Sequence, residues 1–149
     1  MQNKALIKVI GTQRLGSDKD KIELTTVGTL EETPDCYILR YDEEQESYSK
    51  PIRTKLSIQK DEQRVEMLRS GAFGSCLIIE RSKRNLCTYG SEYGDLLMGI
   101  YGKNIENDFK GETGTFVFGY DIDVNGALTS QNEVTVKFRQ MGGQNVKNS

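Results

Sequence analysis

The stretch 114–124 alternates apolar with polar or small residues, and the apolar members are Phe116, Phe118, Tyr120, Ile122 and Val124. A period of two sends alternate side chains to opposite faces of a β-strand. Asn125-Gly126 follows, a pair that accepts the positive φ angles of a type I′ turn. A second alternating run then ends in Val134, Val136 and Phe138. The pattern predicts an antiparallel β-hairpin whose apolar residues mostly face inward.

The rest of the chain repeats this style. Short runs rich in β-branched and aromatic residues are separated by turn signals such as Thr33-Pro34-Asp35 and Lys60-Asp61-Glu62. They predict strands near 4–13, 20–29, 36–42, 51–59, 63–70, 75–82, 84–89, 94–101, 114–124 and 127–139. The best helical candidate is a single turn over Asn104 to Phe109, joining two strands.

Ten strands in one open sheet would leave two long edges exposed, and closure removes them. The short connections favour neighbours that are antiparallel. We therefore expect an all-β, up-and-down meander barrel of about eight to ten strands, formed by a single domain over 1–141. The polar, glycine-rich stretch 142–149 is expected to be a flexible tail.

Composition agrees with a globular domain, since 28% of the 149 residues are charged and 36% are hydrophobic. No apolar run approaches the ~20 residues that a membrane-spanning helix needs. The N-terminal run is broken by Lys8 and lacks the continuous apolar stretch of a signal peptide. We therefore expect a cytoplasmic protein that does not associate with membranes.

The chain contains no histidine. That absence excludes Ser-His-Asp and Cys-His catalysis and every zinc site with a histidine ligand. The three cysteines (Cys36, Cys76 and Cys87) form no Cys-x-x-Cys pair, and we expect them to be reduced thiols, buried or half-buried in strands. The sequence thus predicts no catalytic residues, no metal site and no cofactor.

Basic residues concentrate between Lys50 and Arg84, a stretch that contains nine basic and four acidic residues. A basic stripe on adjacent strands could meet phosphate or an acidic partner. However, the sequence pI of about 5.3 is far below that of a typical nucleic-acid-binding domain. We interpret the stripe as a solvated outer face and expect no nucleic-acid partner.

An ordered set of short motifs resembles the YwiB-like family of uncharacterised bacterial proteins. The motifs are Ile22-Glu23, Val27-Gly28, Met67-Leu68-Arg69-Ser70-Gly71-Ala72, Tyr89, Tyr93-Gly94-Asp95-Leu96, and Gly114 through Tyr120-Asp121. The resemblance covers roughly residues 4–139. It implies a lipocalin-like (calycin-type) meander barrel with no established activity, so no catalytic residues are transferred from it.

Arg69 shares a predicted strand face with Val65 and Met67, which places a charge among apolar side chains. A buried guanidinium needs a counter-charge or carbonyl partners. Arg69 either binds an anion at the barrel mouth or pairs with a carboxylate at a strand end, and Glu66 and Asp121 are possible partners. If the barrel holds a ligand, Arg69 is the predicted polar anchor, with Tyr89, Tyr101 or Tyr120 supplying aromatic wall and hydroxyl.

Two functions from different classes remain open. The first is a non-enzymatic barrel that binds a small, anionic molecule. The alternative is an interaction or structural module that acts through its outer sheet, either as a monomer or as a homodimer. An open cavity with convergent polar groups favours the first, and a filled barrel with an exposed apolar outer patch favours the second.

Overall fold

The computed structural model describes residues 2–43, 52–70, 75–91 and 94–141. Within these ranges the chain forms ten strands and no helix: β1 (Gln2–Leu15), β2 (Asp18–Glu32), β3 (Cys36–Glu43), β4 (Ile52–Gln59), β5 (Arg64–Arg69), β6 (Ser75–Glu80), β7 (Arg84–Ser91), β8 (Gly94–Lys110), β9 (Thr113–Val124) and β10 (Ala127–Gln140). None of its elements is therefore a helix suited to crossing a membrane. The tail predicted over 142–149 lies outside the described residues.

Consecutive strands pair antiparallel, and β10 pairs with β1, so the sheet closes into an up-and-down barrel. The closing pairs run from Ala5 opposite Gln140 to Arg14 opposite Gln131. This architecture confirms the predicted all-β meander barrel.

The β9–β10 hairpin is confirmed in its turn and its faces. Asn125 and Gly126 have φ angles of 56° and 85°, as a type I′ turn requires. Val134 lies opposite Phe118 and Val136 opposite Phe116. Ile122 packs partly buried against the core, and the remaining predicted inward residues are buried: Phe116, Phe118, Tyr120, Val134, Val136 and Phe138.

Side chains from the other strands fill the barrel interior around this hairpin. Fully buried residues on β1, β3 to β6 and β8 include Ile7, Leu39, Leu56, Ile58, Val65, Ile79 and Ile105. At one end four aromatic rings (Tyr37, Phe109, Phe116 and Phe138) pack with centroids 4.9 to 5.5 Å apart. The end where β3 and β5 finish, called here the Arg69 end, carries the polar side chains.

The helical turn expected over Asn104 to Phe109 is wrong, because these residues belong to β8. The pairing register of β8 with β9 shifts between Gly102 and Ile105, which marks a β-bulge. A bulge interrupts the period of two, and the interrupted alternation gave the misleading pattern. At Gly102 a side chain would collide with the Glu80 carbonyl.

Side chains from two turns outside the sheet form hydrogen bonds with backbone groups of β8 beyond this bulge. The Arg81 guanidinium donates to the carbonyls of Glu62 and Ile105, at 3.1 and 2.5 Å. The Glu62 carboxylate accepts the Asn107 N–H at 2.8 Å. The β4–β5 and β6–β7 turns therefore close the barrel wall where the short strands end.

The cysteine expectation holds for two of the three residues. Cys36 is half-buried and Cys87 is buried, but Cys76 is exposed. Cys76 lies opposite Leu68 on the outer face of the sheet, because its neighbour Leu77 takes the inward position. The apolar run Cys76 to Ile79 has no alternation from which the outward residue could be read.

We predict that Phe118→Ala lowers the free energy of unfolding by about 3–5 kcal/mol, because it removes a buried aromatic ring from the core. Leu86, which is 60% exposed, provides the control. Leu86→Ala should change stability by no more than about 0.5 kcal/mol. Urea denaturation measures both, and equal midpoints for Phe118→Ala and the wild-type protein would contradict the assigned faces.

Candidate functional site

Arg69 ends β5 on its inner face. It lies opposite Thr54 of β4, and Thr54 lies opposite Tyr41 of β3. Opposed residues in neighbouring strands share a face, so the three side chains form one row. Thr54 and Tyr41 are 2% and 6% exposed, which places the row inside the wall at the Arg69 end.

The counter-charge of Arg69 is Glu43, the last residue of β3. Nη2 of Arg69 donates to Oε1 of Glu43 at 3.2 Å, and Oγ1 of Thr54 donates to Oε2 at 3.1 Å. The partners considered from sequence, Glu66 and Asp121, pair instead with Arg64 (2.8 Å) and Lys103 (2.9 Å). The expected carboxylate pairing is therefore present, with a partner that the sequence did not reveal.

Several N–H donors of the Arg69 guanidinium have no acceptor among the described residues. A guanidinium carries five N–H donors, and one hydrogen bond is described for this one. Its Nε atom is buried and has no acceptor among the described residues. The side chain as a whole is 34% exposed, so part of the fork is open to solvent. The described residues therefore satisfy this guanidinium only in part.

Of the three predicted tyrosines, Tyr120 is close enough to Arg69 to interact with its charge. Tyr120 is 8% exposed, and burial raises the pKa of its hydroxyl while the Arg69 charge opposes that rise. Tyr101 is 41% exposed and pairs with Arg84 and Asp121 on the outer face, so it does not join Arg69. The side chain of Tyr89 lies outside the described part.

Tyr41 is the tyrosine that sequence reasoning missed. Burial raises the pKa of its hydroxyl to about 12, and the negative charge of Glu43 adds to the rise. Arg69 and a hydrogen bond with Thr54 oppose it. Tyr41 therefore stays neutral and can donate a hydrogen bond throughout the physiological pH range.

A cavity of about 510 Å³ borders this row where β2 separates from β3. Arg40, Arg53, Lys55 and Arg69 line it with a single acidic residue, Asp42, and Val27 and Leu68 supply apolar surface. Most of these residues belong to the outer face of the sheet, since Leu39 and Leu56 take the inward positions. The cavity thus lies against the barrel wall, beside a filled interior.

Acidic partners neutralise much of the basic stretch between Lys50 and Arg84. Lys60 pairs with Glu32 at 2.6 Å, and Arg84 pairs with Asp123 at 2.7 Å. Arg64 contacts both Glu66 and Glu80. Within the described ranges, no ion pair involves Lys55, which leaves its charge available at the cavity.

We predict that Tyr41 makes the protein less stable as the pH rises from about 10 to 12. The folded protein holds the pKa of Tyr41 near 12, above the ordinary value of 10, so the stabilisation is complete below pH 10. It is lost as the pH rises through the folded-state pKa.

Tyr41→Phe should flatten this decline, which amounts to about 3 kcal/mol for a shift of two units. Tyr101→Phe, on the outer face, is the matched control and should leave the decline unchanged. Urea denaturation at several pH values measures the effect. A decline of equal depth in wild-type protein and Tyr41→Phe would show that Tyr41 ionises as readily folded as unfolded.

Comparison with known proteins agrees with this fold. The chain superposes on the crystal structure of the ywiB protein from Bacillus subtilis with a TM-score of 0.80 and 19% identity, covering 94% of this chain and 93% of that one. No curated protein matches the sequence. The family model described as Domain of unknown function (DUF1934) matches residues 7–136. The resemblance inferred from the motifs is thereby confirmed, and the chain belongs to the DUF1934 family.

Proposed function

We propose that this protein binds a small anionic molecule at the Arg69 end of the barrel and catalyses no reaction on it. The observation that carries the proposal is the partly satisfied guanidinium of Arg69. An acceptor that reached its free donors would gain charge-assisted hydrogen bonds, which are shorter and stronger than neutral ones.

The surroundings of Arg69 favour an anion with an apolar body. Tyr41 supplies a neutral hydroxyl on the same row. Three further cations line the adjoining cavity: Arg40 pairs with Glu31 at 2.8 Å and Arg53 with Asp42 at 3.9 Å, while Lys55 has no ion pair within the described ranges. Val27 and Leu68 add apolar surface to that cavity. A carboxylate on a hydrocarbon chain fits both features, because its head would meet the cations while its tail covers the leucine and valine.

The competitor for Arg69 is Glu43, which already occupies part of the fork. A ligand carboxylate must share Arg69 with Glu43 or displace it. Thr54 holds the second oxygen of Glu43 at 3.1 Å and so keeps the carboxylate oriented toward the arginine. Ligand affinity should therefore depend on both charges, in opposite directions.

We predict that the fluorescent anion 8-anilinonaphthalene-1-sulfonate binds the folded protein at one saturable site and that octanoate displaces it. Arg69→Met should weaken binding at least tenfold, because it keeps most of the stem volume and removes every donor. Arg14→Met, in the exposed β1–β2 hairpin, is the matched control and should bind as the wild-type protein does.

Glu43→Gln should bind the probe more tightly than the wild-type protein, because it removes the competing negative charge. Non-saturable binding, or equal affinity in Arg69→Met and the wild-type protein, would refute the proposal. Unfolding measured on the same variants separates the two roles of Arg69. A loss of several kcal/mol in Arg69→Met, together with unchanged probe binding, would assign the arginine to structure alone.

A specific observation also favours the alternative of an interaction module. Leu68, Leu86 and Leu97 lie on the outer face of β5, β7 and β8 and are 40%, 60% and 56% exposed. Exposed apolar clusters on a sheet face mark interaction surfaces. If this patch carries the function, replacing Leu86 and Leu97 with serine should abolish partner capture in pull-down experiments and leave probe binding at Arg69 unchanged.

A further inference from the structure

Within the described ranges, strand β2 has one edge without a strand neighbour over most of its length. It pairs with β1 from Asp18 to Glu31, but with β3 only from Thr29 to Glu32. Residues 18–27 therefore have a β-sheet partner on one side only within the described ranges. The N–H and C=O groups along such an edge form a template for another strand.

The side chains on this edge are unusually exposed for a long strand. Ile22 is 72% exposed, the highest value among the exposed large apolar residues of the described part. The side chains of its neighbours Lys21 and Glu23 are 59% and 45% exposed. A second copy of this edge can set its own apolar residue opposite Ile22 and an opposite charge opposite each of the flanking charges.

We propose that two copies of this chain pair antiparallel through the 18–27 edge of β2, with Ile22 of each copy on the two-fold axis. The pairing joins the two sheets into one continuous sheet, in which β1 and β2 of one copy adjoin β2 and β1 of the other. It is an isologous interface, the commonest kind in homodimers. The inference rests on the strand edge and its charges and not on anion binding, although Val27 belongs both to this edge and to the cavity described above.

Among the three registers centred near the middle of this edge, on Lys21, Ile22 or Glu23, charge favours the one centred on Ile22. Centring the axis on Lys21 sets two lysines opposite each other, and centring it on Glu23 sets two glutamates opposite each other. Centring it on Ile22 places Lys21 opposite Glu23 of the second copy, twice by symmetry. It also brings the two Ile22 side chains together, a cross-strand contact that favours pairing.

The local electrostatics are compatible with this arrangement. Glu23 already lies 3.1 Å from Lys21 and 3.7 Å from Lys8 of its own chain. Those lysines lower the pKa of the Glu23 carboxyl, so the residue is negatively charged at neutral pH. Its exposed carboxylate can accept a second lysine from the facing copy without losing the first.

The fold also leaves room for the second copy. In the proposed register Val27 of one copy lies opposite Ser17 of the other, next to the β1–β2 turn. Strand β3, which pairs with β2 only from Thr29 onward, therefore does not lie alongside the paired segment. Pairing of about ten residues forms a small interface, so the dimer should dissociate on dilution.

Sedimentation velocity over a range of protein concentrations tests the proposal with a charge-exchange design. Wild-type protein should dimerise as concentration rises. Lys21→Glu and Glu23→Lys, each alone, should dimerise at least tenfold more weakly, because each sets like charges opposite each other. An equimolar mixture of the two variants should recover dimerisation, since the introduced glutamate of one chain then faces the introduced lysine of the other.

A cross-link fixes the register. In a Cys76→Ser background, Ile22→Cys should form a disulfide-linked dimer on mild oxidation, because the two sulfurs meet on the axis. Thr26→Cys, four residues further along the same face of the strand, is the control and should stay monomeric. Equal cross-linking of both variants would contradict the register.

Two results would overturn the proposal outright. One is a monomer at every concentration; protection of amides 18–27 from hydrogen exchange would then show that the edge is covered within one chain. The other is a dimer that the charge variants and their mixture leave unchanged. That result would place the interface elsewhere, and the exposed Leu86 and Leu97 on the outer face would be the next residues to test.

Discussion

The pairing of β1 with β10 is the constraint on which the rest of this structure depends. It converts a meander of ten strands into a closed barrel and sets which side chains must share the interior. Because that interior is filled by side chains such as Phe116, Phe118 and Leu56, polar groups are pushed toward the ends. The Arg69 row lies at one end, and the aromatic cluster packs at the other.

Strands β2 and β3 pair only from Thr29 to Glu32, and both proposals concern this region. Strand β2 continues with β1 after it leaves β3; the cavity beside Val27 lies at this separation, and the β2 edge from Asp18 onward has no strand partner among the described residues. The features that could bind a ligand or a second copy thus lie where β2 separates from β3.

The sequence predicted the elements better than it predicted which faces meet. Strict alternation identified the inward residues of β9 and β10, and Asn125-Gly126 identified their turn. Tyr101 was misplaced because the preceding run Leu96-Leu97-Met98 is apolar on both faces and hides the alternation. Cys76 was misplaced for the same reason. The bulge after Gly102 interrupts the alternation of β8, so part of this strand was predicted to be a helical turn.

The candidate site was only half predictable for a related reason. Arg69 was identified because a charge on an apolar face is conspicuous in a sequence. Glu43 was missed because its position depends on the register of three successive strands, which no local pattern states. Counting back along β4 from the predicted turn at Lys60-Asp61-Glu62 would have placed Thr54 beside Arg69, whereas the positions of Tyr41 and Glu43 also depend on the β3–β4 register.

The central claim is that the guanidinium of Arg69 keeps donors that no described residue engages. The ¹⁵N resonance of its Nε–H group, followed by NMR during addition of octanoate, tests this most directly. Arg81 is the internal reference, because backbone carbonyls already engage its Nε and Nη2 atoms. We expect the Arg69 signal to shift in a saturable way while the Arg81 signal stays in place. An Arg69 signal that does not move, or that moves only as much as the other arginines do, would contradict the claim.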